Sequence, residues 1–221
     1  MATSMVTGGT SGIGREFVTQ LAARGDDIVI VARDTERMAA IKADVEARYG
    51  VSVETIAADL SRREDVDQIT TRVEDPNHPV DLLVNNAGFA VHAKILDPEA
   101  LELHDRAVEV MMRAVLVLSA AAGRAMKARG HGAILNLSSS SAWINTGNYS
   151  AIKAWVLTFT EGLSNELAGT GVKAMALCPG WVHTPNSTHA PTSPPTICRT
   201  FSGSTPKSWY ARLSTTLTMT R

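Results

Sequence analysis

The chain of 221 residues is 44% hydrophobic and 19% charged, which is ordinary for a soluble globular protein. Its length suffices for one sizeable α/β domain and is short for two. A net charge of −1 gives no electrostatic reason to expect nucleic acid or an anionic membrane surface as a partner.

The N-terminal segment predicts neither a signal peptide nor a membrane span, because no basic stretch precedes an apolar run. The two cysteines, Cys178 and Cys198, form no disulfide framework, which favours a reducing compartment. We therefore expect a cytoplasmic protein.

A short strand that ends at Met5 and Val6 is followed by a glycine-rich turn, and a helical pattern begins at Arg15. Glycines let the backbone approach a pyrophosphate, and the helix N-terminus offers unpaired N–H groups and the positive end of its dipole. A glycine cluster by itself is more often only a turn, but its place between a strand and a helix favours a dinucleotide site. The candidate residues are Thr7, Gly8, Ser11, Gly12, Ile13 and Gly14.

The second predicted strand, over 27–32, is an apolar run that ends at Arg33. The adenosine ribose of a dinucleotide would lie at this strand end. An acidic side chain there would accept hydrogen bonds from a free 2′-hydroxyl, whereas an arginine suits a 2′-phosphate. Arg33 therefore favours NADP, and the neighbouring Asp34 keeps NAD as the alternative. Arg33 could also be a solvated loop charge.

A helix over 35–49 and a strand over 51–57 lead to Asp59 and Leu60, which we place at the cofactor. Asp59 could hydrogen-bond the adenine edge, or it could cap the helix predicted over 61–74.

The fourth predicted strand, over 80–84, is followed by Asn85, Asn86, Ala87 and Gly88. Asparagines at a strand end can connect neighbouring strands through hydrogen bonds from side chain to backbone. The small Ala87 and Gly88 would let a flat cofactor pass close to the chain.

A long helical pattern runs from Leu101 to Arg129, preceded by a cap at Asp97 and a first turn at Pro98. Its many small apolar residues suit a helix that is buried on two sides, as in a seam between subunits. A plain core helix would have the same composition. The fifth strand is predicted over 133–137.

Tyr149 and Lys153 lie one turn apart on a helix predicted over 149–168 and share one face of it. An ammonium ~4 Å from a phenol contributes roughly 4 kcal/mol at an effective dielectric of about 20, enough to lower the phenol pKa by up to ~3 units. The tyrosine would then exchange protons with an alcohol or ketone near pH ~7. Ser139, just after the fifth strand, could hydrogen-bond the same oxygen. A surface tyrosine beside a solvated lysine is the alternative for this pair.

The sixth strand is predicted over 172–177, and Pro179 to Thr184 follow it. Six strands that alternate with helices predict a doubly wound parallel sheet in a single domain, with ligands outside the C-terminal ends of the strands. The glycine-rich turn, Arg33, Asp59, Asn86, Ser139 and Thr184 all follow strand ends and should therefore meet at one edge.

Together these motifs make residues 1–184 resemble a short-chain dehydrogenase/reductase. The motifs are Thr7-Gly8-x-x-x-Gly12-x-Gly14, Asn85-Asn86-Ala87-Gly88, Ser139, Tyr149-x-x-x-Lys153 and Pro179-Gly180-x-x-x-Thr184. The resemblance implies a Rossmann-like fold, a homo-oligomer, and hydride transfer between a nicotinamide cofactor and a small alcohol or carbonyl substrate.

The resemblance also assigns roles to residues. Tyr149 would be the general acid/base, and Lys153 would lower the tyrosine pKa and bind the nicotinamide ribose. Ser139 would orient the substrate oxygen, and Thr184 would meet the carboxamide of the cofactor. The neighbouring Pro179, Gly180 and Val182 would border the same cofactor.

Two departures from the family pattern bear on activity. The spacing of ten residues from Ser139 to Tyr149 is shorter than the usual twelve or thirteen, so Ser138, Ser140 and Ser141 are possible substitutes. Met111 stands where the family usually has an Asn that holds a proton-relaying water, and a thioether cannot donate a hydrogen bond. A protein that binds the cofactor without turnover, or an inactive remnant, is therefore the alternative to an active enzyme.

Residues 185–221 contain nine Thr, six Ser and five Pro and no acidic residue, a composition typical of disordered or poorly packed segments. The family resemblance implies instead two helices and a seventh strand in this region. We expect a cofactor-binding and catalytic domain over 1–184, a tail over 185–221, and a sheet that lacks its last strand. A shifted reading frame would explain the tail, and a disordered tail is the alternative.

Overall fold

The computed structural model of the protein describes residues 2–180. Within that range the strands are β1 (Thr3–Thr7), β2 (Asp27–Ala32), β3 (Val53–Ala57), β4 (Leu82–Asn85), β5 (Gly132–Leu137) and β6 (Val172–Leu177). The α-helices are α1 (Gly12–Ala23), α2 (Thr35–Tyr49), α3 (Arg63–Val73), α4 (Leu101–Val108), α5 (Ala114–Arg129) and α6 (Asn148–Glu166). The expectations for Val182, Thr184, the tail over 185–221 and a missing last strand lie outside the described residues.

The predicted elements are present, with helix ends that shift by up to three residues (α1 begins at Gly12 rather than Arg15) and with two further differences. First, β3 and β4 begin two residues later than expected, because Val51 and Val80 are buried without belonging to a strand. Second, the single helix predicted over 101–129 is divided by a π-helical turn, Glu109–Arg113. Such a turn inserts an extra residue into a helix. Apolar periodicity did not reveal it, because the buried face continues on both sides of it.

All strand pairs are parallel, and the strand order is β3-β2-β1-β4-β5-β6. The chain builds outward from β1 to β3, crosses back to β4 beside β1, and then builds outward to β6. This confirms the predicted doubly wound, Rossmann-like sheet. Ligands of such sheets bind outside the C-terminal strand ends, at the crevice where the order reverses.

The core consists of two apolar layers, one on each face of the sheet. Successive strand residues point to opposite faces, so Met5 packs into one layer and Val6 into the other. One layer includes α3 and α5, and the other includes α1 and α2. Both faces are covered, which explains why the strands are almost continuously apolar.

Four buried polar side chains connect β4 and β5 to the helices behind them. Asn85 Nδ2 donates to Asn136 Oδ1 at 2.9 Å and to Ser119 Oγ at 3.1 Å. Asn136 Nδ2 donates to Thr160 Oγ1 at 3.0 Å, and Thr160 Oγ1 donates to the carbonyl of Val156 at 2.6 Å. A buried polar group without a partner costs about 1–3 kcal/mol, so these mutual bonds fix the positions of β5 and α6.

Across residues 2–180, no helix combines the length and the apolar character that crossing a membrane would require.

Candidate active site

The C-terminal edge of the sheet collects the side chains that the sequence singled out. Thr7 and Asn86 lie side by side there: the Thr7 hydroxyl accepts hydrogen bonds from the backbone N–H groups of Asn86 and Ala87, at 3.0 and 3.1 Å. Asn86 Nδ2 donates to the carbonyls of Thr7 at 2.8 Å and Gly8 at 3.2 Å. The prediction that an asparagine joins neighbouring strand ends is therefore confirmed for Asn86.

The glycine-rich turn is tightly packed against this asparagine. Gly8 and Gly12 have φ values of 67° and 53°, which favour glycine. A Cβ atom at Gly14 would lie 2.2 Å from the carbonyl oxygen of Gly8 and 2.3 Å from Asn86 Nδ2. Only glycine therefore allows α1 to begin this close to the turn.

The N-terminus of α1 suits an anion. Ser11 occupies the N-cap position in an extended conformation, but its side chain makes no capping hydrogen bond, and no acidic residue lies in the first turn. The N–H groups at the start of a helix have no intrahelical partners. Ile13, in the first turn of α1, is partly buried and packs against one core layer. The chemistry of these residues would fit a pyrophosphate.

The structure brings Ser139, Tyr149 and Lys153 together. Tyr149 is mostly buried and hydrogen-bonds with the Ser139 side chain. Lys153 Nζ lies 5.7 Å from the centre of the Tyr149 ring. Lys153 is only 5% exposed, and its Nζ donates to the carbonyl of Leu137 at 2.9 Å. The arrangement excludes a surface tyrosine beside a solvated lysine.

The choice among the four neighbouring serines follows from their contacts. Ser138 Oγ donates to the backbone carbonyl of Lys153 at 2.6 Å and is buried. Ser140 and Ser141 belong to a 3₁₀ turn, Ser140–Trp143, which Ser139 caps by accepting from the Ser141 N–H at 3.1 Å. Ser139 is thus the serine that meets the tyrosine, despite the short spacing.

Burial sets the pKa of both ionisable groups at this site. Burial raises the pKa of the Tyr149 phenol above its ordinary value, and the hydrogen bond with Ser139 offsets only part of that rise. Burial lowers the pKa of the Lys153 ammonium to about 8, and the nearby Cys178 acts in the opposite direction. The predicted lowering of the Tyr149 pKa to near neutrality is therefore wrong for this structure. The Lys153 ammonium faces the Tyr149 ring and the Leu137 carbonyl. Desolvation of the buried phenol disfavours its ionised form.

Met111 lies beside the lysine. It is 1% exposed in the π-helical turn. A Cβ atom at Gly88 would be 3.0 Å from Met111 Sδ and 3.7 Å from Lys153 Nζ, so the thioether and the ammonium flank the same glycine. The methionine thus packs as core methionines do, and it places a weak acceptor without a donor next to Lys153.

At the end of β2, where the sequence predicts the adenosine ribose, Arg33 and its acidic neighbour have different surroundings. Asp34 caps α2 by accepting from the Arg37 N–H at 2.9 Å, whereas Arg33 is exposed at the end of β2. The Asp34 carboxylate, which kept NAD as the alternative cofactor, therefore serves as the cap of α2.

Asp59 does not cap α3, whose N-cap is Arg62. Asp59 Oδ1 instead accepts from the N–H and hydroxyl of Ser61, at 3.0 and 2.7 Å, in an Asx turn. Burial raises the pKa of Asp59, but the Ser61 hydrogen bonds and the charges of Arg106 and Arg33 outweigh burial and hold it below the ordinary value. The side chain of Leu60 is buried in a core layer, so only its backbone could meet a cofactor.

The last part of the predicted site is only partly described. The Pro179 carbonyl accepts from the Ser140 N–H at 2.9 Å, which fixes the loop that carries Ser139. Gly180 follows it, and Val182 and Thr184 are beyond the described range.

Sequence reasoning missed three groups: Asn136 with its buried partners, Ser138 as a bond to the backbone of α6, and Arg106, which pairs with Asp59 at 3.1 Å. Each depends on which helix crosses which strand end. An apolar strand interrupted by Asn136 was the one signal of the buried network in the sequence.

Comparisons with known proteins agree with this geometry. A family model for short chain dehydrogenases matches residues 2–194. A short chain dehydrogenase of Pseudocercospora fijiensis is 37% identical over 185 residues, which cover 81% of this chain and 59% of that protein. The chain thus spans less than two thirds of the length of this fungal relative.

Two solved structures of dehydrogenases share about the same fraction of identical residues with the chain. A short-chain dehydrogenase from Sphingobium yanoikuyae in complex with NADPH has a TM-score of 0.80 and 33% identity, covering 83% of this chain and 73% of its own. The bulky-bulky ketone specific alcohol dehydrogenase from Comamonas testosteroni has a TM-score of 0.79 and 30% identity, covering 82% and 74% respectively.

Lys153 should titrate at about pH 8 in the cofactor-free protein. Its pKa is lower in the folded than in the unfolded chain, so the folded state binds fewer protons between about 8 and 10.5. The burial penalty is therefore fully present below this window, and stability rises as the pH increases through it. Urea unfolding should show wild type gaining stability relative to Lys153→Met between about pH 8 and 10. Lys127→Met, at an exposed lysine, is the control. A stability difference between wild type and Lys153→Met that does not change with pH would contradict the lowered pKa of Lys153.

Proposed function

The chain belongs to the short chain dehydrogenase family, and on that premise we propose that it is an NADP-dependent reductase of a carbonyl compound. The observation that carries the proposal is the contact of Ser139, Tyr149 and Lys153 at the sheet edge that also holds the glycine-rich turn. Similarity to a dehydrogenase in complex with NADPH supports a nicotinamide cofactor.

The residues of the glycine-rich turn would hold the pyrophosphate, and Arg33 would hold the 2′-phosphate. The N–H groups at the start of α1 and the close backbone at Gly8 and Gly14 provide the pyrophosphate site. Lys153 would bind the nicotinamide ribose. When bound, NADPH supplies the hydride that reduces a carbonyl carbon.

Tyr149 would donate the proton that the reduced oxygen requires. Because burial raises its pKa, the phenol is neutral near pH ~7 and is a proton donor there. Ser139 would share a hydrogen bond with the same substrate oxygen, and the Lys153 charge would stabilise the phenolate left behind.

The substrate is proposed to be a partly apolar ketone or aldehyde. Trp143 and Ile144 are 53% and 49% exposed in the segment between Ser139 and Tyr149, so apolar surface borders the catalytic tyrosine. Phe89, His92 and Asn145 follow the ends of β4 and β5 and would complete the border. Similarity to an alcohol dehydrogenase specific for bulky ketones supports this class of substrate.

A second candidate function is cofactor binding without turnover, and Met111 is the observation that favours it. A buried thioether beside Lys153 leaves that part of the site without a side chain that can donate and accept a proton. Ketone-dependent oxidation of NADPH, measured beside NADPH binding, separates the two candidates.

Replacing Tyr149 by Phe tests the proposed proton donor. Turnover of a ketone panel with NADPH should fall by roughly 10²–10⁴-fold, the usual contribution of a general acid. NADPH affinity should stay within about threefold, since the change deletes one hydroxyl. Tyr49→Phe, at the far end of α2, is the matched control and should leave both quantities unchanged. Retained activity in Tyr149→Phe would show that the proton comes from another group.

Replacing Arg33 by Ala tests the choice of cofactor. Wild type should bind NADPH more tightly than NADH, and the substitution should weaken NADPH by roughly tenfold, because a hydrogen bond to a charged group is worth about 1.5–3 kcal/mol. NADH affinity should change by less than about twofold. Arg48→Ala, at the C-terminal end of α2, is the control. Equal affinities in wild type would refute the role of Arg33.

Replacing Met111 by Asn tests the second candidate. If Met111 limits proton exchange at Lys153, the variant should raise the turnover number severalfold at unchanged NADPH affinity. Met112→Asn, in the same π-helical turn but only partly buried, should not. Turnover that is absent from wild type and appears in Met111→Asn would establish wild type as the non-catalytic binder. A turnover number that does not rise would remove Met111 as the limit.

A further inference from the structure

Two arginines flank one carboxylate at the adenosine end of the site. Arg33 follows β2, Asp59 follows β3, and Arg106 lies on α4. Arg106 Nη2 lies 3.1 Å from Asp59 Oδ2, and the Arg33 charge also acts on Asp59. Arg33 and Asp59 come close because they follow the neighbouring strands β2 and β3, and Arg106 on α4 pairs with Asp59 from outside the sheet.

Both carboxylate oxygens of Asp59 have partners, and its position is therefore fixed. Oδ1 accepts from Ser61, and Oδ2 pairs with Arg106. The Asp59 N–H donates to Asp65 Oδ2 at 2.7 Å, which holds the backbone of the same turn. Without Arg106, the Asp59 carboxylate would remain in place and ionised. Among the described residues, Arg33 would then be its one arginine neighbour.

An uncompensated carboxylate would weaken a phosphate site in two ways. It would attract the Arg33 guanidinium toward itself, and it would repel the phosphate directly. NADPH carries the 2′-phosphate and NADH does not, so the penalty would fall on NADPH.

We propose that Arg106 is a positioning residue that sets the preference for NADPH over NADH by neutralising Asp59 beside Arg33. This inference rests on the proposed use of Arg33 to bind the 2′-phosphate. Arg106 itself need not touch the cofactor: it acts through the charge of Asp59.

The test is binding of NADPH and NADH to the full chain by titration calorimetry, for wild type and Arg106→Gln. At ~50 mM salt, Arg106→Gln should raise the NADPH Kd by roughly fivefold, since a half-exposed ion pair is worth up to about 1 kcal/mol. The NADH Kd should change by less than about twofold, and the NADPH effect should shrink at ~0.5 M salt through screening.

A double-mutant cycle separates electrostatics from structure. In an Asp59→Asn background, Arg106→Gln should leave the NADPH Kd unchanged, because no carboxylate remains to be neutralised. Arg124→Gln is the matched control. It removes an exposed arginine of α5 whose Nη2 pairs with Glu74 Oε1 at 2.6 Å. It should change neither Kd. Arg106→Lys keeps the charge and should keep the NADPH preference, which also covers the case in which Arg106→Gln unfolds.

Three results would overturn the proposal: equal weakening of NADPH and NADH by Arg106→Gln, an effect that persists in the Asp59→Asn background, or no effect. Arg33→Ala distinguishes this failure from that of the proposed function. If Arg33→Ala weakens NADPH and Arg106→Gln does not, only the role of Arg106 is wrong. If Arg33→Ala has no effect, both proposals are wrong.

Discussion

The rest of the site depends on a pair of hydrogen bonds between the end of β5 and helix α6. Lys153 Nζ donates to the carbonyl of Leu137, and Ser138 Oγ donates to the carbonyl of Lys153. One bond extends from helix to strand and the other from strand to helix, so sliding α6 along β5 would break both. Both bonds are buried, where an unpaired group is costly. Because Tyr149 lies one turn before Lys153 on α6, this pair of bonds also sets the distance from Tyr149 to Ser139.

The buried side chains of Asn85, Asn136, Ser119 and Thr160 extend this constraint into the fold. An apolar core tolerates small shifts of a helix over a sheet, because dispersion contacts are non-directional. A set of buried hydrogen bonds does not, since hydrogen bonds are directional and a shift would leave buried polar groups without partners. The core supplies most of the stability, and the polar network supplies the register that a catalytic arrangement requires.

The two ends of the site use electrostatics in different ways. Around Tyr149 and Lys153, burial raises the pKa of the phenol and lowers the pKa of the ammonium, so desolvation rather than pairing dominates both shifts. At the adenosine end, Arg33, Asp59 and Arg106 are near solvent, and their interactions are weaker and sensitive to salt. Under the proposed function, substitutions at Arg33, Asp59 or Arg106 would therefore change the cofactor preference and leave the arrangement of Ser139, Tyr149 and Lys153 undisturbed.

The sequence alone determined the strand-helix alternation, the glycine-rich turn and the helix that carries Tyr149 and Lys153, because apolar periodicity and glycine conformation are local properties. Parallel strands also make their C-terminal ends meet, which placed Arg33, Asp59, Asn86 and Ser139 at one edge. The tertiary structure decided what these side chains contact once there. Whether Lys153 faces the phenol oxygen or the ring, whether Met111 fills the space beside it, and which charge balances Asp59 depend on how α4, the π-helical turn and α6 pack together. Burial then reversed the expected shift in the Tyr149 pKa, because the free energy of ionisation depends on the surroundings of the whole group and not on its nearest charged neighbour in the sequence.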